Sequence, residues 1–493
     1  MNLPPCLVPV YREESKGVNY KDLAFMKLEV KLNDCEFCDI RNIMEKEYER
    51  PLLTRRSVLK RLSLGAVGSL GMTGGANPMY GSLTGEIQET LQTSVNAYKP
   101  MKIVKVESVR FNEKLSIGGG SGGSGRTEFC WVRLHTDTGV IGTGETYPGI
   151  NGELGALKDL SNRFLIGKDP RDIDGIWMNL YQYMSMRNAG GSDMRILSAI
   201  NMAQLDILGQ STGLPLYQLL GGKTRPAVKV YNTTTDYWAI NDTKMGRDTG
   251  KIVTFLLDRG ISSMKIYPFT DGPDLPEGQF LSSDSLERCL TWLKQIRDTA
   301  GNKMEILIDC SGVYDLAGAM RILKAIEPYN VIHMEDILIP SNAQQAYKVL
   351  SSETSVPIAH SETIATRYEV KDFLQARAMD ILMYDLCWCG GPSEAKKMSD
   401  MADAYNIPTS PHTAGGPLLW LSSIHMCTAI PNFCYMESNY WKYTHQYPFF
   451  LNNVPLPVDG YVSPPESPGL GAEIRPEIFQ DGSAIVETIA EFK

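Results

Sequence analysis

In the second half of the chain, short apolar segments end one after another in residues able to do acid, base or metal chemistry. Lys265 and Tyr267 close one such segment. Asp309, Glu335 and Glu362 close the next three, and Asp385, His412 and Glu437 close the last three. A single aspartate in this place is a common helix N-cap. Glutamate at two consecutive segment ends is harder to explain that way. If the segments are neighbouring strands, Asp309, Glu335 and Glu362 converge on one point. Three converging anions repel at high cost, and a hard divalent cation with oxygen ligands removes that cost. Mg2+ suits three carboxylates and leaves positions for water and substrate. Lys265 and Tyr267 stand two apart, so both point to the same face of their strand.

The elements that must hold these residues follow a regular alternation. Strands are expected at Val228–Asn232, Ser263–Tyr267, Glu305–Asp309, Ile332–Glu335, Pro357–Glu362, Asp380–Asp385, Ile407–His412 and Phe433–Glu437. Amphipathic helices are expected between them at Leu286–Asp298, Ala317–Glu327, Ala343–Leu350, Tyr368–Ala376, Glu394–Tyr405 and Leu418–Ala429. Strand–helix repetition on this scale matches a β/α barrel, whose chemistry sits at the C-terminal strand ends. A doubly wound sheet is the competitor, but it usually has fewer strands, and no G-x-G-x-x-G follows the first one. After the last strand the chain turns Pro-rich through 448–471, with no full-length helix expected. The expected fold is therefore α/β, a (β/α)7β modified TIM barrel over residues 226–440.

Residues 101–225 read differently. Met101–Phe111 alternates apolar and polar residues, Phe129–Leu134 is a second strand, and Asp137-Thr138-Gly139 turns into Val140–Gly142. Helical patterns fill 153–221 and stop at Gly221-Gly222. This is an α+β capping domain, and the tail, 441–493, is expected to pack back on it.

The whole sequence of 493 residues is 43% hydrophobic and 21% charged, ordinary for a globular protein. That excludes wholesale disorder, a collagen-like repeat and a multispanning membrane protein. A net charge of −9 and a pI near 5.4 argue against a polyanion-binding surface, so no nucleic-acid partner is expected. Most of the cysteines lie in apolar runs and read as small buried hydrophobes; Cys35 and Cys38 form one C-x-x-C without a second pair. Residues 54–60, Thr-Arg-Arg-Ser-Val-Leu-Lys, precede a glycine-rich apolar run from Leu62 to Gly75, too short to span a bilayer comfortably. The bland reading is a basic helix start, but the pattern resembles a twin-arginine (Tat) export signal. Such signals begin near the initiator, and Met44 lies ten residues before Thr54. Residues 1–100 are expected to comprise a misplaced start, a Tat-like signal and a disordered segment. The expected location is the periplasm, or the cytoplasm if the signal is unused.

The ordered set Lys-x-Tyr, Asp, Glu, Glu and then Asp385/His412 resembles the enolase superfamily, in particular its mandelate racemase subgroup. The resemblance spans residues 101–493 and includes Trp131–Gly139, Gly144-Glu145-Thr146-Tyr147-Pro148-Gly149 and Asp206-Ile207-Leu208-Gly209 leading to Leu219–Gly222. It implies that Asp309, Glu335 and Glu362 hold Mg2+ and that the substrate is a carboxylate. A base then removes the proton α to that carboxylate, and an enediolate gathers charge beside the metal and a lysine. His412 would be a base oriented by Asp385, and Glu437 would bond substrate or the developing oxyanion. Many members carry Lys-x-Lys where this chain has Lys265 and Tyr267. A phenol titrates near about 10 and is a poor base at neutrality unless Lys265 lowers it. That weakens a two-base racemase and leaves one-base dehydration open.

In this family two capping-domain loops set specificity, here near Ser116–Arg126 and Ser185–Asp193. Arg187, Asn188 and Asp193 in the second suit a polyhydroxy acid, and an insert at Pro268–Ser283 could also cover the site. His360, two residues before Glu362, is expected either to contact substrate or to be a hydrogen-bonded barrel histidine. The leading function is Mg2+-dependent dehydration of a sugar acid to a 2-keto-3-deoxy acid. The alternatives are an epimerase or cycloisomerase of acid sugars or their lactones, and a non-catalytic sugar-acid binder. The expected partners are a small acid sugar and further copies of the chain, with no membrane span.

Overall fold

A computed structural model describes residues 100–112, 129–147, 151–186, 190–235, 243–270, 281–339, 341–360 and 362–492. All belong to one unit, Tyr98–Lys493. The Tat-like signal, the first specificity loop, Arg187, Asn188 and most of the Pro268–Ser283 insert lie outside the described residues. Among the described residues no helix is long and apolar enough to cross a membrane.

The capping part begins with β1 (Ile103–Phe111), β2 (Cys130–Thr136) and β3 (Ile141–Thr146). They pair antiparallel in the order β1–β2–β3, and the last strand of the chain joins the free edge of β1. β12 (Ala484–Glu491) lies along β1, with Phe111 opposite Ala484, so the C-terminal tail joins the capping sheet. Helices α1 (Asn151–Leu160), α2 (Ile173–Ser185) and α3 (Gly191–Thr212) cover it. Along α3, every residue from Ile196 to Ile207 is buried, as expected of a helix sandwiched between two layers. Gly144 permits the close approach of β3 to α3: a Cβ there would lie 1.9 Å from the Ala199 carbonyl oxygen.

The second layer is a parallel sheet of β4 (Val228–Thr233), β5 (Ser263–Ile266), β6 (Glu305–Asp309), β7 (Val331–Glu335), β8 (Ile358–His360), β9 (Ile381–Leu382) and β10 (Met436–Ser438). β10 pairs with β4 at one edge, β9 stands at the other, and β11 (Tyr461–Val462) pairs antiparallel with β4. The segment 407–412 closes the ring between the edges without regular strand pairing. Single bridges join Thr409 to Leu382 and to Phe433, and His412 to Asp385. The expected seventh strand is thus a stave held at separate points; Pro408 and Pro411 lack the N–H groups that a ladder needs.

The crossover helices are α4 (Thr249–Leu257), α5 (Ser283–Ala300), α6 (Leu316–Ile326), α7 (Gln344–Glu353), α8 (Thr366–Ala376), α9 (Pro392–Ala404) and α10 (Pro417–Ala429). Their sequences explain them. In α5, Leu286, Cys289, Trp292, Leu293 and Ile296 make one buried stripe, and Ser282 caps the start by accepting from the Ser285 N–H at 3.0 Å. In α6, Asp315 caps Gly318 at 2.7 Å ahead of Ala319, Ile322, Leu323 and Ile326. α10 is buried on every side. The chain after β10 differs from expectation: residues 440–450 are helical, with a π-helical turn at Lys442–Gln446.

Candidate active site

Lys265 on β5 lies in the centre of the barrel, fully buried. Its Nζ donates to Glu335 Oε1 and Oε2 at 2.9 and 3.0 Å, and lies 3.0 Å from Glu437 Oε1 and 3.4 Å from Asp309 Oδ2. Burial alone would lower its pKa; the charges of Glu335 and Glu437 win and hold it well above the usual lysine range. One ammonium therefore faces three carboxylates brought in by β6, β7 and β10.

Asp309, Glu335 and Glu362 each offer an oxygen within 4.8 Å of the others, the spacing of a site that could hold a metal ion. Burial and then the neighbouring Asp309 push Glu335 well above the carboxylate range. Burial, with Asp336 and Asp309, pushes Glu362 up to about 7 against the opposing charge of His412. Protons or a cation must relieve this cluster, and an all-oxygen donor set favours a hard divalent cation such as Mg2+. The residues present fit such an ion.

His412 faces the cluster from the seventh stave. Its Nδ1 is 2.8 Å from Asp385 Oδ2, and its Nε2 is 3.0 Å from Glu362 Oε2 and 3.7 Å from Glu437 Oε2. Asp385 is itself fixed by the Cys387 N–H at 2.6 Å. Burial would lower the imidazole, but Glu362, Glu437 and the Asp385 hydrogen bond push it up to about 10. For Glu437, burial is overcome by Lys265 and His412, which bring it down to about 2; its Oε2 accepts from the Thr413 N–H at 2.8 Å.

Tyr267 lines the same cavity of about 540 Å³ as Asp309, Glu362, His412 and Glu437. Its hydroxyl pairs with Thr233 Oγ1 at 3.0 Å. Burial, joined by Asp309, Glu437 and Glu335, outweighs the opposing pull of the Lys265 charge and keeps the phenol well above its ordinary range, so it stays the poor base that its type suggests.

His360 takes the second of its two expected roles, a hydrogen-bonded barrel histidine, and is not among the described residues lining the cavity. It is fully buried against Tyr347 of α7 and Phe373 of α8, with ring centroids 3.9 and 4.9 Å away, and its Nδ1 pairs with Asp336 Oδ1 at 2.8 Å. β8 ends at His360, and strand parity does not extend beyond the strand to Glu362. Asp193 sits half-buried in the first turn of α3 and is not among the described residues lining the cavity.

Other lining residues were missed in the sequence. Trp388 and Tyr147 stack at 6.1 Å with an interplanar angle of 7°, and Trp388 lies 5.3 Å from the His412 ring. Arg195 of α3 lies 4.9 Å over the same indole. Trp388 stands three residues past Asp385, which was the available signal; Tyr147 lay within the Gly144–Gly149 phrase without a role. Lys442 carried no signal. Glu145 of β3 is the link from capping sheet to His412. It accepts N–H bonds from Trp131, Gly416, Leu418 and Leu419 at 2.7–3.3 Å, fixing the start of α10 just beyond the histidine. A Cβ on Gly416 would lie 2.6 Å from a Glu145 oxygen, so only glycine lets the carboxylate seat. Burial pushes Glu145 up to about 7 against its donors.

Two family matches cover the architecture: residues 103–221 match the mandelate racemase / muconate lactonizing enzyme N-terminal domain, and residues 251–478 the Enolase C-terminal domain-like family. The chain belongs to the mandelate racemase subgroup of the enolase superfamily. Relatives in this superfamily include the D-galactonate dehydratase of Pectobacterium atrosepticum, 30% identical over 72% of this chain and 91% of the relative. The D-xylonate dehydratase of Haloferax volcanii is 29% identical over 70% of this chain and 83% of the relative. A solved mandelate racemase subgroup enolase from Agrobacterium tumefaciens superposes with a TM-score of 0.69 at 31% identity, over 78% of this chain and 98% of its own.

Proposed function

We propose that this superfamily enzyme dehydrates a sugar acid to a 2-keto-3-deoxy acid. The single observation that carries the reading is the Asp385–His412 dyad, with His412 lining the same cavity as Asp309 and Glu362 of the candidate cation site. An oriented base beside a cation site is what proton abstraction α to a carboxylate requires, whereas a simple binder has no use for one. The names of the relatives support the sugar acid and the dehydration.

Asp309, Glu335 and Glu362 would hold Mg2+. Bound there, a divalent cation would supply positive charge beside the substrate carboxylate and would offset the field that keeps His412 protonated. His412 Nε2 takes the proton from C2, and the C–H electrons pass into the carboxylate. Asp385 fixes the tautomer and steadies the imidazolium. Lys265 holds its ammonium beside the carboxylate oxygens where negative charge grows. The C3–O bond then breaks, His412 returns its proton to the departing hydroxyl, and water leaves. The enol takes a proton at C3 and becomes the 2-keto-3-deoxy acid.

An epimerase would need a second base, and Tyr267 stands in that place; its elevated pKa counts against the role. Incubating the protein with a library of acid sugars, with Mg2+ and then with chelator, tests the reading. A 2-keto-3-deoxy product that forms with metal and disappears with chelator is the expected result. Export by the twin-arginine route, supported by residues 54–75, belongs to the same proposal.

A further inference from the structure

The cavity carries one feature that proton abstraction does not use. Lys442, which opens the π-helical turn after β10, lines it. Such turns occur frequently at functional sites. The Lys442 Nζ donates to Ala414 O at 2.7 Å and approaches Gly415 O at 3.5 Å. Backbone carbonyls orient an ammonium, but they do not neutralise it. Among the described residues no carboxylate lies within ion-pair distance of Lys442, whereas Lys265 is surrounded by three. A lysine carries three N–H donors, so at least one remains for a ligand.

An aromatic wall runs between His412 and Lys442. Along it, the His412 ring meets Trp388 at 5.3 Å, Trp388 stacks on Tyr147 at 6.1 Å, and Lys442 Nζ lies 5.9 Å from the Tyr147 ring centre. The aromatic pair gives a flat face for the C–H side of a carbon chain. Neutral polar side chains, Thr233, Thr235 and Asn439, line the same cavity and suit hydroxyl groups. At about 540 Å³ the space accommodates a six-carbon acid.

We infer that Lys442 binds a second carboxylate at the end of the substrate remote from the reacting one, so that the preferred substrate is a sugar diacid. The inference rests on the sugar-acid reading and narrows it. A monoacid would set a terminal hydroxyl against the ammonium; a diacid sets a carboxylate there, the stronger acceptor for a charged donor.

The test compares aldonic and aldaric acids of matched configuration, with Mg2+, on the wild type, K442M and K442R. The wild type is expected to prefer the diacid in kcat/KM by about 10-fold or more, the usual worth of one charge-assisted hydrogen bond. K442M should bring the diacid-to-monoacid ratio toward one, and K442R should keep most of it. A wild-type preference for the monoacid would overturn the inference. So would equal losses for both acids in K442M, which would make Lys442 only a prop for the His412 loop. If no acid is turned over, the dehydratase reading fails. The unfolding midpoint then decides on Lys442: a rise with diacid that K442M loses supports the anion site, and no rise overturns it.

Discussion

Lys265 Nζ lies within 3.0 Å of both carboxylate oxygens of Glu335, and neither side chain is exposed to solvent. Each is the other's compensation. K265M should therefore leave Glu335 among like charges and destabilise the fold by roughly 3–5 kcal/mol in chelator, the usual cost of breaking a buried pair. Urea titrations with and without Mg2+ check this, with metal expected to return part of the loss. Unchanged stability in chelator would mean that the carboxylates are already neutralised by other means.

H412N should keep the fold and lose turnover by about 10²–10⁴-fold, the range for removing a positioned acid–base group. Calorimetric titration of Mg2+ into the variant should still show binding. Near-wild-type turnover would move the base elsewhere.

Y267F should cost roughly 10–150-fold if the phenol donates one hydrogen bond to a charged group in the transition state. Because burial keeps that phenol protonated, the pH–rate profile should keep both limbs. A lost limb would instead assign Tyr267 an acid–base role.

Glu145 connects the capping sheet to the helix after His412. E145A strands the N–H groups of Gly416, Leu418 and Leu419. Each buried donor left unsatisfied costs about 1–3 kcal/mol. E145A should lower both the unfolding midpoint and kcat, while E145Q, which keeps acceptor oxygen, should lose less. An E145A midpoint equal to the wild type would show that α10 holds its position without the latch.

His425 in α10 gives a pH dependence remote from the cavity. Its Nδ1 accepts from the Tyr217 N–H at 3.3 Å, and its Nε2 lies 3.2 Å from Leu470 O, so the ring is neutral. Burial pushes its pKa down to about 4. The unfolded histidine titrates near about 6.5, so between these values only the unfolded chain binds the proton. The contribution is whole above the unfolded value and falls away as pH drops toward 4, by roughly 3 kcal/mol when both values are passed. Asp206 and Glu145, raised by burial to about 6 and 7, act in the opposite direction. Comparing H425Q with wild type in urea at neutral and acid pH isolates the histidine, and the variant should lose less stability on acidification. Parallel losses would remove His425 from the account.

Much of this was legible because chemistry and period coincide along the chain. Asp309 and Glu335 end apolar segments that become β6 and β7 with the expected C-terminal residues. The face of His360 was not legible, because strand parity holds only while the strand lasts and β8 stops at that residue. Tyr267 was legible as a poor base from its residue type; that burial would outweigh the Lys265 charge was not, because burial exists only in the folded barrel. Trp388, Tyr147 and Lys442 come from separate parts of the chain, and only tertiary packing brings them to one wall.

The central claim is that one base, His412, carries out dehydration through an enediolate. Reaction of an accepted sugar acid in deuterated solvent, followed by NMR, tests it most directly. The account predicts a 2-keto-3-deoxy product carrying deuterium at C3. Recovered starting acid that is labelled and inverted at C2, with no keto product, would contradict it and make the protein an epimerase.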